Sequence, residues 1–282
     1  MSDLFRRKSI AQLVSESEDG SHTLKKTLTS FNLVTLGIGA IIGAGLFSIT
    51  GLAAANHAGP AVTLSFVIAA LGCAFAGLCY AEFASMIPVA GSAYTYSYAT
   101  LGEFMAWIIG WDLVLEYAVG AATVSISWSR YLGKLLEYYH IYLPTSLSMG
   151  PWESITTPEG AVVHGMINLP AVFIVVAMSL LLIKGTQESS TVNNVIVVLK
   201  VSVVLIFIAL GWGYINTANY TPYIPANTGT FGEYGWSGII RASAIIFFAY
   251  IGFDAVSTAA QEAKDPKKGM PIGILVSLGI CT

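Results

Sequence analysis

Charge is what this chain has least of. Asp, Glu, Lys and Arg make up 10% of its 282 residues, against about 25% in ordinary soluble domains. With 55% hydrophobic residues, a water-soluble globular domain is excluded and an integral membrane protein is expected. Cysteine is also scarce. Cys73, Cys79 and Cys281 all fall in apolar runs without metal-ligand spacing, which argues against a disulfide framework or a thiolate metal site. No metal, cofactor or nucleic-acid partner is expected; the surrounding lipid bilayer is.

Residues 1–30 contain Arg6, Arg7, Lys8, Lys25 and Lys26 but no long apolar core, so they read as a cytosolic tail and not as a signal peptide or a span. Apolar runs then follow at about 31–55, 60–85, 101–131, 167–183, 191–214 and 236–260, each near the ~20 residues needed to cross a bilayer. A seventh starts at Pro271, and the chain stops inside it at Thr282. The expectation is an all-α membrane protein with six complete transmembrane helices and the start of a seventh, the N-terminal part of a longer domain. Basic residues mark one side of the membrane: the tail, Lys184, Lys264, Lys267 and Lys268, against Arg130 and Lys134 on the other. The positive-inside rule therefore puts the N-terminus in the cytoplasm; the expected location is the plasma membrane. Lys200 and Arg241 lie within spans.

The first span holds Gly37, Gly39, Gly43 and Gly45 within nine positions. Each Gly costs a helix interior about 1 kcal/mol relative to Ala, so the helix is expected to open here. Opened backbone inside a bilayer needs protein or a polar cavity to satisfy it. Gly39 and Gly43 also form a GxxxG pair, which reads as close helix packing. The sixth span carries a second such stretch, with Gly252, Asp254, Ser257 and Thr258. Were the fold an inverted repeat of five spans, spans one and six would be equivalent, and interruptions at equivalent places point to a substrate site near the midplane. The repeats would cover about 31–214 and 236–282, the second incomplete.

Broken helix ends have a definite chemistry. Backbone N–H groups near Gly43, Ala44 and Gly45, backed by a positive dipole end, suit a carboxylate. Freed carbonyls around Ile41, and around Phe248, Ala249 and Ile251, suit an ammonium group. Together they suit an α-amino acid, cationic or neutral. Asp112 and Glu116 share one face of the third span, and a mid-membrane charge costs about 2.5–3.5 kcal/mol on the mildest scale, so both are expected to face an interior. Glu116 or Asp254 could meet a cationic side chain or carry a proton, or pair with Arg241 or Lys200. Lys200 lies too deep to snorkel. It is expected either to gain and lose a proton during transport or to act as a fixed counter-ion.

The runs 37–47 (GIGAIIGAGLF), 88–94 (PVAGSAY), 110–117 (GWDLVLEY) and 248–254 (FAYIGFD) resemble the amino acid–polyamine–organocation transporters, the last two most of all the cationic amino acid transporter branch. The resemblance implies a LeuT-type fold with five-plus-five inverted repeats and helices 1 and 6 interrupted. It also implies that Lys200 matches a helix-five lysine which replaces the sodium ion of sodium-coupled relatives, so that transport is proton-coupled and sodium-independent. The expected function is secondary active amino acid transport. An exchanger or polyamine transporter of the same superfamily, or a membrane sensor or scaffold without transport, are the alternatives. Gly235-Trp236-Ser237-Gly238 is similar to the short GxSG pattern of rhomboid-like serine proteases. That chemistry needs a histidine within the membrane, and His22, His57, His140 and His164 all lie outside the apolar cores, so no enzyme is expected.

Overall fold

The computed structural model describes residues 6–18, 25–43, 45–156, 162–184 and 186–282. Helix α1 (Ile10–Glu18) lies in the tail, and α2 (Ser30–Ile41) opens the first span. Beyond an interruption the chain resumes as a π-helical turn (Gly45–Ile49), α3 (Thr50–Ala53), a second π turn (Ala54–Ala58) and a 3-10 turn (Gly59–Ala61). Then come α4 (Val62–Met86), α5 (Ser92–Thr100), α6 (Glu103–Tyr138) and α7 (Thr145–Ser148). A short antiparallel pair, β1 (Ser154–Thr156) and β2 (Val162–His164), precedes α8 (Leu169–Lys184) and α9 (Thr186–Gly211). The chain finishes with α10 (Gly235–Tyr250), a 3-10 stretch (Asp254–Glu262) and α11 (Pro266–Cys281).

Among the described residues, four helical stretches are long and apolar enough to cross a membrane: Ser30–Met86, Glu103–Tyr138, Ser190–Tyr214 and Gly235–Glu262, with Leu169–Lys184 a shorter apolar helix. The first, at 57 residues, takes in both spans expected over 31–85. Large apolar side chains such as Phe75, Phe173, Phe207 and Leu210 stand exposed along these helices. Water would not tolerate so much apolar surface on a monomeric protein, whereas lipid tails solvate it, and helices satisfy their own backbone there. This is a helical multi-pass membrane protein.

Several boundaries differ from the expected ones. The uncharged loop over 86–100 contains α5, started by Gly91 at φ +116°. The third span continues to Tyr138, and the long loop after it holds the β1–β2 pair, so the chain is not all helix. The seventh helix begins at Pro266 and not at Pro271. Asp265 caps it by accepting the Lys268 N–H, and Pro266 occupies its first position, where proline's missing N–H costs nothing. Pro271 leaves one carbonyl of the preceding turn without a donor, and that turn is exposed at Lys267 and Lys268.

Contacts divide the chain into two units, residues 1–111 with 189–282, and residues 112–188. The first unit is built on α2, α4, α10 and α11 around Leu33, Cys73, Ile239, Ile246, Met270 and Ile274, all buried. Small residues let these helices approach closely. A Cβ placed on Gly37 would lie 2.6 Å from Ser277 Cβ, and one on Gly273 would lie 2.9 Å from Leu33 Cβ. In the second unit Asn168 Oδ1 accepts Ser129 Oγ (2.6 Å) and the Ala171 N–H (3.1 Å), starting α8. Arg130 donates to Glu153 at 2.5 Å, and the Gly150 N–H donates to the same carboxylate. These two bonds hold the Glu153 carboxyl below its ordinary range.

Candidate functional site

The first unit contains both interruptions. Helix α2 starts with a reciprocal cap, in which Thr29 and Asn32 each bond the other's backbone, and its last intrahelical bond runs from the Ile42 N–H to Ile38 O (2.9 Å). Ile42 itself is extended (φ −76°, ψ 90°), and helical bonding restarts with the Phe47 N–H on Gly43 O (3.4 Å). Carbonyls at the end of a helix have no N–H partner of their own. Here the Lys200 ammonium, reaching across from α9, donates to Gly39 O (2.9 Å) and Ile42 O (2.7 Å). A cation therefore sits on the negative end of the α2 dipole.

The second interruption follows Tyr250. Ile251 turns the chain out of α10 (φ −55°, ψ 132°), with its N–H on Phe248 O at 3.3 Å. Gly252 adopts φ +118°, a conformation that glycine alone adopts without strain. The Ala255 N–H then returns to Gly252 O (3.1 Å) as the 3-10 stretch begins.

The two breaks cross. Gly45, just beyond the first, packs on Ala249, just before the second; a Cβ on Gly45 would lie 2.5 Å from Ala249 Cβ. Gly252, just beyond the second, packs on Ala40, just before the first, where a Cβ would approach the Ala40 Cβ to 2.8 Å. The leading half of each helix thus lies against the trailing half of the other. Gly43 differs from its neighbours. A Cβ there meets nothing nearer than Ala40 O at 4.0 Å, so its missing side chain leaves open space beside the break. Of the GxxxG pair, Gly39 is the packing member, facing Asn193 and Val197 on α9, and Gly43 is not.

The other expected site residues are distributed as follows. Ile41 and Ala249 are buried, Gly45 is buried, and Phe248 and Ile251 are half-buried around the crossing. Ala44 lies outside the described residues. Asp254 is buried at the first position of the 3-10 stretch, and its backbone carbonyl accepts Ser257 Oγ (2.6 Å). Asp112 and Glu116 belong to the second unit. Glu116 is half-buried, but Asp112 is exposed, because no described residue covers that face of α6. The expectation that both face an interior is not met for Asp112.

Two groups had no part in the expected site. Asn32 donates to Ser190 (3.1 Å) and Thr35 donates to Asn194 (2.5 Å). With Asn193 and Lys200 these residues form one polar stripe along α9 facing α2, at helical spacing. That stripe was present in the sequence as polar residues recurring at one face of an apolar helix. His57, outside the apolar cores as expected, anchors the entry to α10: its Nδ1 lies 2.8 Å from Gly232 O and its carbonyl accepts the Tyr234 N–H (2.8 Å).

Known proteins resemble this chain in sequence. Residues 28–282 match the family model described as amino acid permease. The chain is 49% identical over 99% of its length to the branched-chain amino acid permease of Bacillus subtilis, and 44% identical over all of it to that organism's methylthioribose transporter. It is 38% identical over 93% of its length to cationic amino acid transporter 1 of Arabidopsis thaliana, covering 41% of that protein. The chain spans 57% of the length of each of the two bacterial relatives. By the extent of the family match and the level of these identities, this chain belongs to the amino acid permease family.

Proposed function

We propose that the protein is a secondary transporter of amino acids in the plasma membrane, proton-coupled and sodium-independent, with its N-terminus in the cytoplasm. The carrying observation is the crossing of two broken helices with an open space at Gly43. On this reading the substrate carboxylate takes the N–H groups at Gly43, Ala44 and Gly45. The ammonium takes carbonyls around Ile41 at the first break and around Phe248, Ala249 and Ile251 at the second. The pairing of leading and trailing halves is what an inverted repeat of five helices would produce.

Lys200 is the coupling group in this proposal. Its ammonium holds the end of α2 shut, and loss of its proton would remove the charge that strengthens its bonds to two carbonyls at the edge of the site. In this proposal Asp254, buried just beyond the second break, is the acid that meets a cationic substrate side chain. The match to a branched-chain amino acid permease supports a neutral aliphatic substrate; the weaker match to a cationic amino acid transporter supports arginine or lysine less.

The test is uptake of radiolabelled leucine, alanine, arginine and lysine into proteoliposomes holding the full-length gene product, under an inward proton gradient and then a sodium gradient. Proton-driven leucine uptake indifferent to sodium is expected. Uptake that requires sodium, or none under either gradient, refutes the coupling. Methylthioribose belongs in the same panel, because one relative is named for it. Uptake of that sugar without leucine would show that the breaks do not serve a zwitterion.

A further inference from the structure

Helix α8 is too short for its depth in a membrane to be free. Its 16 residues span about 24 Å at the helical rise, against a hydrocarbon core of about 30 Å. With the charged Lys184 at its last position, Leu169 at its first stands no higher than the edge of the hydrocarbon. Helix α6 is the opposite case. Its 36 residues run about 54 Å, so part of it must stand clear of the core. The Ser129–Asn168 hydrogen bond (2.6 Å) fixes where, by putting Ser129 at the depth of the start of α8. Tyr138, at the end of α6, then projects about 14 Å further along the helix.

The β1–β2 hairpin is tied to the depth of Ser129 and not to the projecting turns. Arg130 donates to Glu153 at 2.5 Å, the Gly165 N–H donates to Glu153 O (3.0 Å), and Ser148 forms a bridge with Asn168. The open end of the hairpin therefore lies where α8 meets the edge of the hydrocarbon. Its composition fits that place. Trp152 is 95% exposed and Met166 73%, and with Ile155 and Ile167 they continue the apolar surface that Leu169 and Phe173 turn outward on α8. Ser154 and His164, paired across the hairpin, are exposed as well. Hydrocarbon would penalise those two polar side chains, whereas the headgroup layer solvates them and favours the amphipathic indole of tryptophan. We infer that the open end of the β1–β2 hairpin is a lipid-binding surface, seated in the phospholipid headgroup layer with Trp152 and Met166 inserted among the glycerol esters.

The full-length protein in nanodiscs tests this. Trp152→Cys, Met166→Cys and Tyr138→Cys, each with the native cysteines replaced by serine, carry a single environment-sensitive fluorophore. Emission from positions 152 and 166 should be lost mostly to phosphatidylcholine bearing a nitroxide on its headgroup and little to aqueous iodide. At position 138 the order should be reversed. Iodide quenching at 152 equal to that at 138 would put the hairpin in water, and protection of 152 from both quenchers would put it under protein; either result overturns the inference. A second arm needs no label. The difference in tryptophan emission between wild type and Trp152→Phe is the emission of Trp152, and it should shrink in discs of lipid brominated near the esters. A difference of the same size in brominated and ordinary lipid likewise overturns the inference.

Discussion

The glycines of the first interruption separate a packing role from a binding role. At Gly45 an added methyl group would lie 2.5 Å from Ala249 Cβ, too close for two carbons, so the crossing must spread. Overpacking of this kind costs about 1–3 kcal/mol, a factor of roughly 5 to 150 in the folding equilibrium. At Gly43 the first obstacle is Ala40 O at 4.0 Å, and φ is not positive there. A Cβ at Gly43 is therefore accommodated, and Gly43→Leu should cost less stability than Gly45→Ala while filling the space beside the break. Unfolding in an SDS titration, followed by tryptophan fluorescence, should show Gly45→Ala clearly destabilised and Gly43→Leu less so. Leucine uptake in proteoliposomes should be lost in Gly43→Leu. If Gly43→Leu unfolds as easily as Gly45→Ala, Gly43 is a packing residue. If it folds and transports normally, the site lies elsewhere.

Three further outcomes are expected. Lys200→Met strips the donor from Gly39 O and Ile42 O, and should flatten the pH dependence of uptake; an unaltered pH profile would reduce Lys200 to a structural cap. Gly252→Ala must adopt φ +118° and press on Ala40, so it should lower stability by about 1–3 kcal/mol in the same SDS titration, and wild-type stability would contradict the crossing. Glu153, held below its ordinary range by Gly150 and Arg130, stabilises its turn above the unfolded carboxyl pKa of about 4.3. That contribution is lost as pH falls through the lowered folded value. The protection factor of the Gly150 amide should accordingly fall only below about pH 4, and a fall beginning near pH 6 would refute the assignment.

The first break was readable from its clustered glycines, which weaken a helix wherever it sits, and the second from Gly252 with the polar residues Asp254, Ser257 and Thr258 in an apolar span. What each glycine faces was not. Gly37 meets Ser277 and Gly39 meets Asn193, partners remote in the chain, so the GxxxG spacing looks the same whether one glycine packs or both do. The depth of Lys200 announced a partner, but carboxylates and carbonyls satisfy an ammonium alike, and only the fold brings Gly39 O and Ile42 O to it. The three-residue strands β1 and β2 are too short to leave an alternation pattern. His57 acts through its own carbonyl as much as its ring, and a backbone role leaves no signature in side-chain chemistry.

The crossing of the two interrupted helices also bears on how the chain is made. Every group that completes the first break arrives late: Lys200 first, then Ala249 and Gly252. Synthesis runs at about 5–20 residues per second, so the segment at Gly43 waits roughly 10–40 s for its last partner. Until Lys200 is made, roughly 8–30 s at the same rate, the first span is in the membrane with carbonyls that nothing in the nascent chain can satisfy. Water in the insertion channel, a neighbouring lipid headgroup or an insertion factor must serve them in the meantime. The same two carbonyls, Gly39 O and Ile42 O, thus tie completion of the first helix to arrival of the fifth span.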